Sequence, residues 1–313
     1  MTIRVTGHRD SAEQANDATA AAEVPLERRW SVGGASVTGR AHVDKGLGCD
    51  DAFAYGTRDD FVVAAVADGA GSVTQTSAWG SYTVCDGVVT DALSQWFAKR
   101  FAAVDGAGRG ADELMRLLFD EALHRLRSRA DYYRQPVGEL ATTLSVVIAR
   151  PGLAVLGQIG DGVIAVERAT GVETVLIEEK SEYANLTWFV QSDNAFAESF
   201  RTYTATDITA FALSTDGMSY KITDVATGAA FVPFFEGAWS SLAAGFRDED
   251  FARWLDGIQD DQTDDDKTLI LARLAQIDRS GSGCEASPMR RVSSRWPAIS
   301  PPSPAAAERV SEG

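Results

Sequence analysis

Cysteine, histidine and long apolar runs are what this 313-residue chain has least of. Its three cysteines (Cys49, Cys85, Cys284) are odd in number and widely spaced, so they make no disulfide framework, and a reducing cytoplasm is the expected compartment. Three histidines (His8, His42, His124) with cysteines so dispersed argue against a structural zinc site. The longest apolar run, residues 61–67, falls far short of the roughly 18 residues that a membrane span needs, and the first thirty residues hold no apolar signal core. No membrane partner is expected. Basic residues are scarce too: 29 Lys+Arg stand against 45 Asp+Glu, a formal net charge of −16. No basic stripe interrupts that acidity, which argues against a nucleic-acid partner, because a polyanion is repelled.

A hydrophobic content of 45% and a charged content of 24% place the chain in the globular range, with length for one large or two ordinary domains. Residues 1–29 are polar, Ala-rich and without a countable period, and read as a flexible arm. Residues 276–313 hold five of the nine prolines beside a Ser/Gly cluster, a composition that buries too little apolar surface to offset its ordering entropy, and read as a disordered tail. That tail is slightly basic and leaves 24 basic against 41 acidic residues before it. The acidity therefore belongs mainly to the part that folds.

Between 30 and 275, Val/Ile/Phe/Thr-rich runs predict strands at 30–37, 52–56, 61–67, 142–149, 154–159, 163–167, 172–177, 199–203, 208–214 and 267–273. Helical spacing predicts long helices over 77–101 and 111–130 and shorter pieces at 224–228, 233–246 and 248–258. Two helices set between groups of hairpin-spaced strands, with no internal repeat and no βαβ alternation, predict an α+β fold with a largely antiparallel sheet system.

Asp-Gly occurs six times, and its plain reading is a turn. Asp86 lies inside a helical pattern, Asp105 in a Gly-rich loop and Asp256 at a helix end, and none of the three is assigned a function. Asp68, Asp161 and Asp216 instead each follow a strand-like run directly, Asp50-Asp51 precedes another, and Asp264-Asp265-Asp266 precedes a fifth. A carboxylate at a buried strand end is costly unless positive charge neutralises it. Five such ends with few neighbouring Lys or Arg suit a hard divalent cation, since Mg²⁺ and Mn²⁺ prefer oxygen ligands.

In order, the chain reads GCDDAFAYG (48–56), VVAAVADGAGS (62–72), ELATTLSVVIA (139–149), GQIGDGVIAV (157–166), FALSTDGMS (211–219) and DDDKTLILA (264–272). Over roughly 30–275 this resembles the metal-dependent protein phosphatase family of the protein phosphatase 2C type, in its compact bacterial branch. The resemblance implies a four-layer α-β-β-α sandwich with two central, mainly antiparallel sheets. It implies two Mn²⁺ or Mg²⁺ ions in a cleft at one end, with a third, weaker site. Asp68 corresponds to the ligand of both ions, with Gly69 offering its carbonyl. Asp216 and Asp265 correspond to ligands of the first ion and Asp51 to one of the second, Asp50 acting through water. Asp161 corresponds to the third site. The activity implied is hydrolysis of phosphoserine and phosphothreonine by direct attack of a metal-bridging water, on a phosphorylated protein made by an opposing Ser/Thr kinase, by a monomer.

Two features depart from the better-known eukaryotic members. Their Asp-Gly-His is here Asp68-Gly69-Ala70, so the proton for the leaving group comes from elsewhere, and their phosphate-gripping arginine is absent. Of the nearby cations Arg40, His42 and Lys45, His42 is the preferred phosphate contact, with a hydrogen-bonded loop histidine as the plain alternative. Residues 180–199 fall where the family carries a mobile flap. There Glu182, Asn185 and Thr187 are candidates to face substrate, while Trp188 and Phe189 would pack the flap on the body. Cys49 reads as a structural thiol rather than a nucleophile. A catalytically silent protein of the same fold that binds a phosphoprotein or regulatory partner is the alternative from another class. A small-molecule phosphomonoesterase would use the same site.

Overall fold

The side chains of residues 61–67 decide how the layers stack. In this strand Val62, Ala64 and Val66 enter one hydrophobic core while Phe61, Val63, Ala65 and Ala67 enter another, and all seven are buried. Successive side chains of a strand point to opposite faces, so a strand apolar on both faces has to lie between two layers. The computed structural model describes residues 27–70, 76–176, 187–224, 226–259, 262–277 and 289–292.

Eleven strands are described: β1 (Glu27–Val37), β2 (Ala52–Arg58), β3 (Phe61–Ala67), β4 (Leu144–Arg150), β5 (Leu153–Ile159), β6 (Val163–Arg168), β7 (Gly171–Leu176), β8 (Arg201–Ala205), β9 (Ala210–Ser214), β10 (Lys267–Ile277) and β11 (Met289–Val292). The α-helices are α1 (Arg40–Val43), α2 (Ser77–Ala92), α3 (Gln95–Ala103), α4 (Ala111–Tyr133), α5 (Ala195–Glu198), α6 (Ser219–Ile222), α7 (Val232–Ala243) and α8 (Asp248–Asp256). One sheet runs β1-β10-β9-β6-β7 and the other β11-β2-β3-β4-β5-β8, with every pairing antiparallel. Between the sheets lies a core that includes Trp30, Leu156, Phe211, Leu213 and Ile270. Helices α2 and α4 cover the outer face of the second sheet through Val88, Phe119 and Leu126, and α7 and α8 cover the first through Trp239, Leu242 and Phe251. The expected α+β, four-layer sandwich is the fold observed.

Four local expectations need correction. The single helix predicted over 77–101 breaks at Ser94, whose extended backbone (φ −62°, ψ 148°) and side chain cap α3 by accepting from the Phe97 amide at 3.2 Å. The piece at 224–228 is a turn: the Asp224 carboxylate accepts from the amides of Ala226 (3.0 Å) and Thr227 (2.9 Å), a local bond that competes with helix. Val225 lies outside the described residues. β1 begins at Glu27, inside the stretch read as an arm, because β10 runs antiparallel beside it as far as Ile277. Within the stretch read as a disordered tail, Met289–Val292 pairs with β2, and backbone pairing along an open sheet edge needs no apolar side-chain pattern. The rest of the predicted arm and tail lies outside the described residues.

Leu156 is fully buried between the sheets whereas Val43 is 58% exposed. Leu156→Ala should therefore lower unfolding free energy by about 2–5 kcal/mol, and Val43→Ala by less than about 0.5 kcal/mol, as read from urea midpoints. Equal effects of the two would contradict the layer assignment.

Candidate metal centre

Register, rather than proximity in sequence, gathers the acidic motifs. Ala52 pairs with Ala67, so Asp51, just before β2, and Asp68, just after β3, flank the same end of one sheet. In the other sheet Leu269 pairs with Ser214, which sets Asp216, after β9, beside Asp265, before β10. Val163 also pairs with Ser214, so Asp161, between β5 and β6, joins that end from the crossing between the two sheets. Glycine permits the approach. A side chain on Gly217 would meet the Asp266 carbonyl oxygen at 1.9 Å, and one on Gly69 would meet the Asp50 carbonyl oxygen at 2.5 Å.

Hydroxyl groups fix the carboxylates. Thr215 donates to Asp51 Oδ2 at 2.7 Å, a bond that ties the two sheets together. Ser77, at the start of α2, donates to Asp50 Oδ2 at 2.8 Å, and Ser81 one turn later donates to the Asp50 carbonyl at 2.6 Å. The Asp68 amide donates to Thr143 Oγ1 at 2.9 Å, and Thr142 donates to the Asp68 carbonyl at 3.0 Å. Asp50 and Asp51 are buried, while Asp68, Asp161, Asp216 and Asp265 are half-buried.

Burial pushes the Asp51 and Asp68 carboxyls well above the usual carboxylate range, and their neighbours push further. For Asp68 these neighbours are Asp51, Asp216, Asp265 and Asp161; for Asp51 they are Asp266 and Asp216. Asp265 and Asp50 are also raised, burial being the largest cause in both, with His42 pulling the other way. The aspartates thus act on one another across five strand ends, which is the electrostatic condition a divalent cation relieves.

The donor set fits a hard cation: carboxylate oxygens with hydroxyl support, and a buried Asp161 Oδ1 that lacks a hydrogen-bond partner although its Oδ2 accepts from Thr187 at 2.9 Å. Among the described residues, no three His, Cys, Asp or Glu side chains form a ready ligating group. The cluster is therefore defined by register and mutual repulsion, not by a closed cage. Lys267, the cation nearest the acidic run in sequence, turns away to donate to the Ile258 carbonyl at 2.7 Å.

Other expected residues fall as follows. His42 is hydrogen-bonded through Nδ1 to Asp266 Oδ2 at 3.0 Å, so the plain alternative describes one side of its ring. Thr187 meets Asp161 rather than open space, and Trp188 packs on the helical core beside a fully buried Val190. Glu182 and Asn185 lie outside the described residues. The Cys49 thiol is pushed well up by burial and by Asp51 and Asp266, which keeps it protonated and poor as a nucleophile. Sequence reasoning missed Thr215, Ser77, Thr143 and Asp266. Thr215 and Thr143 stand within the quoted motifs, one residue before Asp216 and within the Thr-Thr pair, while nothing local marks Ser77.

Residues 38–256 match the family described as protein phosphatase 2C. Serine/threonine-protein phosphatase 3 of Escherichia coli K12 is 28% identical over 264 residues, covering 79% of this chain and 99% of that protein. A serine/threonine phosphatase of S. agalactiae superposes with a TM-score of 0.53 at 10% identity, covering 78% of this chain and 99% of the other. A chain described with the bacterial stressosome, a modular system adapted to control secondary messenger signalling, superposes with a TM-score of 0.50 at 14% identity, covering 78% and 100%. At such identities the two structures speak for the fold alone, while the match over 38–256 takes in four of the five acidic strand ends. This chain belongs to the protein phosphatase 2C family.

Proposed function

We propose that the chain is a Mn²⁺- or Mg²⁺-dependent phosphatase of phosphoserine and phosphothreonine in proteins, acting against a Ser/Thr kinase. The observation that carries this reading is the strand register that brings Asp51, Asp68, Asp216, Asp265 and Asp161 to one end of the sandwich. Asp68 would hold both of two ions, with the Gly69 carbonyl beside it. Asp216 and Asp265 would hold the first and Asp51 the second, Asp50 acting through water and Asp161 serving a third, weaker site. Bound there, the cations supply positive charge that acidifies water to a nucleophile near neutral pH and offsets the charge of the phosphoryl group.

The chain's own groups do the rest. Thr215 and Ser77 keep the Asp51 and Asp50 carboxylates turned by donating to one oxygen of each. His42, on the loop that precedes Asp50, is the residue assigned to the substrate phosphate. With Ala70 where eukaryotic members have histidine, the proton for the departing Ser or Thr oxygen comes from solvent or from another donor.

Phosphate release from a phosphothreonine peptide should require Mn²⁺ or Mg²⁺ and stop on chelation. Asp68→Asn and Asp216→Asn should each lower kcat/KM by at least about 100-fold, the scale of losing one electrostatic stabiliser. Cys49→Ser should stay within about two-fold of wild type, as expected of a thiol outside the chemistry. Turnover in chelator, or an active Asp216→Asn protein, would overturn the reading.

The raised carboxyls also set a pH dependence. A group whose folded pKa lies above its unfolded value favours the fold below the unfolded pKa, and that advantage is lost as pH rises through the folded one. In chelator at pH 7.5, Asp68→Asn should therefore melt about 2–4 °C above wild type, the shift that roughly 1 kcal/mol gives in a domain of this size. The gap should narrow toward pH 5, and Mn²⁺ should raise the wild-type midpoint more than the variant's. A variant that melts below wild type at pH 7.5 in chelator would contradict the account.

A further inference from the structure

Asp266 stands next to a candidate ligand in sequence, yet its carboxylate serves different partners. Oδ1 accepts from the Gly39 amide at 2.7 Å. Oδ2 accepts from the Asp50 amide at 2.6 Å and faces His42 Nδ1 at 3.0 Å. The residue is 3% exposed. Gly39 is the residue before α1, which carries His42, and Asp50 is the residue before Asp51. One buried carboxylate thus grips both ends of the 39–50 loop and the side chain in its middle. The Ala41 amide adds a bond to the Asp264 carbonyl at 2.9 Å, from a residue held in the left-handed region (φ 55°).

The partners dictate the state of the ring. A carboxylate meeting two backbone amides is an acceptor, and an unprotonated Nδ1 would set two lone pairs against each other at 3.0 Å. Nδ1 therefore carries a hydrogen, and the tautomer of a histidine is set by the bond its other nitrogen makes. Nε2 is then the ring atom left for substrate.

We propose that Asp266 is a positioning residue: it fixes the His42 ring with a hydrogen on Nδ1 and anchors the 39–50 loop, so that Nε2 is presented to the substrate phosphate. This rests on His42 as the phosphate contact of the proposed phosphatase. A carboxylate that only clamped the loop backbone would have no bearing on the ring, and the two roles separate in experiment.

With three histidines in the chain, long-range ¹⁵N spectra of the rings are simple, and His42→Gln assigns the His42 signals. Wild type should show Nδ1 of His42 protonated at neutral pH, and Asp266→Ala should shift the ring to the ordinary Nε2–H form. With p-nitrophenyl phosphate and Mn²⁺, Asp266→Ala and His42→Gln should each raise KM about 10-fold, the worth of one hydrogen bond to a charged group, with a smaller change in kcat. The double variant should be no worse than His42→Gln alone. Asp266→Asn, which keeps one oxygen able to accept from the ring, should recover most of the loss. A wild-type ring with bare Nδ1 overturns the proposal whether or not any variant folds, and so does an Asp266→Ala penalty that persists undiminished in the His42→Gln background. Absence of turnover by wild type would instead defeat the phosphatase reading, while the ring spectrum still decides the role of Asp266.

Discussion

Repulsion among carboxylates is the constraint around which this molecule is arranged. Two antiparallel sheets bring five acidic strand ends to one place, and there the Asp51 and Asp68 carboxyls are raised by burial first and then by the neighbouring aspartates. Such an arrangement is unfavourable for a fold on its own terms, since each buried ionised group loses hydration and gains like-charged neighbours. It persists because the strands that deliver the aspartates are held by cores on both faces, and β3 has no exposed residue along its length. The layers hold the site, and the site weakens the layers.

Positioning is divided among hydroxyls and one further carboxylate. Thr215 joins Asp51 to the opposite sheet, Ser77 and Ser81 bind the Asp50 residue to α2, and Thr142 and Thr143 close around the Asp68 backbone. Neutral donors suit this task because they orient a carboxylate oxygen without cancelling its charge, which an adjacent lysine would do. Asp266 hydrogen-bonds the His42 imidazole and both ends of the 39–50 loop, and so links that loop to the acidic cluster.

Much of this was legible in the sequence, for a physical reason. Strands buried on both faces are nearly continuous apolar runs, so 61–67, 154–159 and 267–273 announce themselves, and an aspartate directly at the end of such a run is conspicuous. The four layers follow once those runs are seen to need cover on both sides. What escaped notice rests on individual bonds rather than on apolar pattern. Ser94 breaks a helix whose apolar content continues past it, and Asp224 diverts its backbone into a turn by a side-chain bond. Met289–Val292 joins a sheet edge by backbone pairing that composition does not encode. Asp266, one residue past a candidate ligand, receives no role from the sequence, and its partners Gly39, His42 and Asp50 are more than 200 residues away.

The central claim, that side chains from both sheets share a pair of divalent cations, is most directly tested by anomalous diffraction from crystals grown with Mn²⁺. The account predicts two manganese peaks within reach of one Asp68 carboxylate, the first also bound by Asp216 and Asp265 and the second near Asp51. Strong peaks elsewhere on the molecule with none among these aspartates, at a Mn²⁺ concentration that supports turnover, would contradict it.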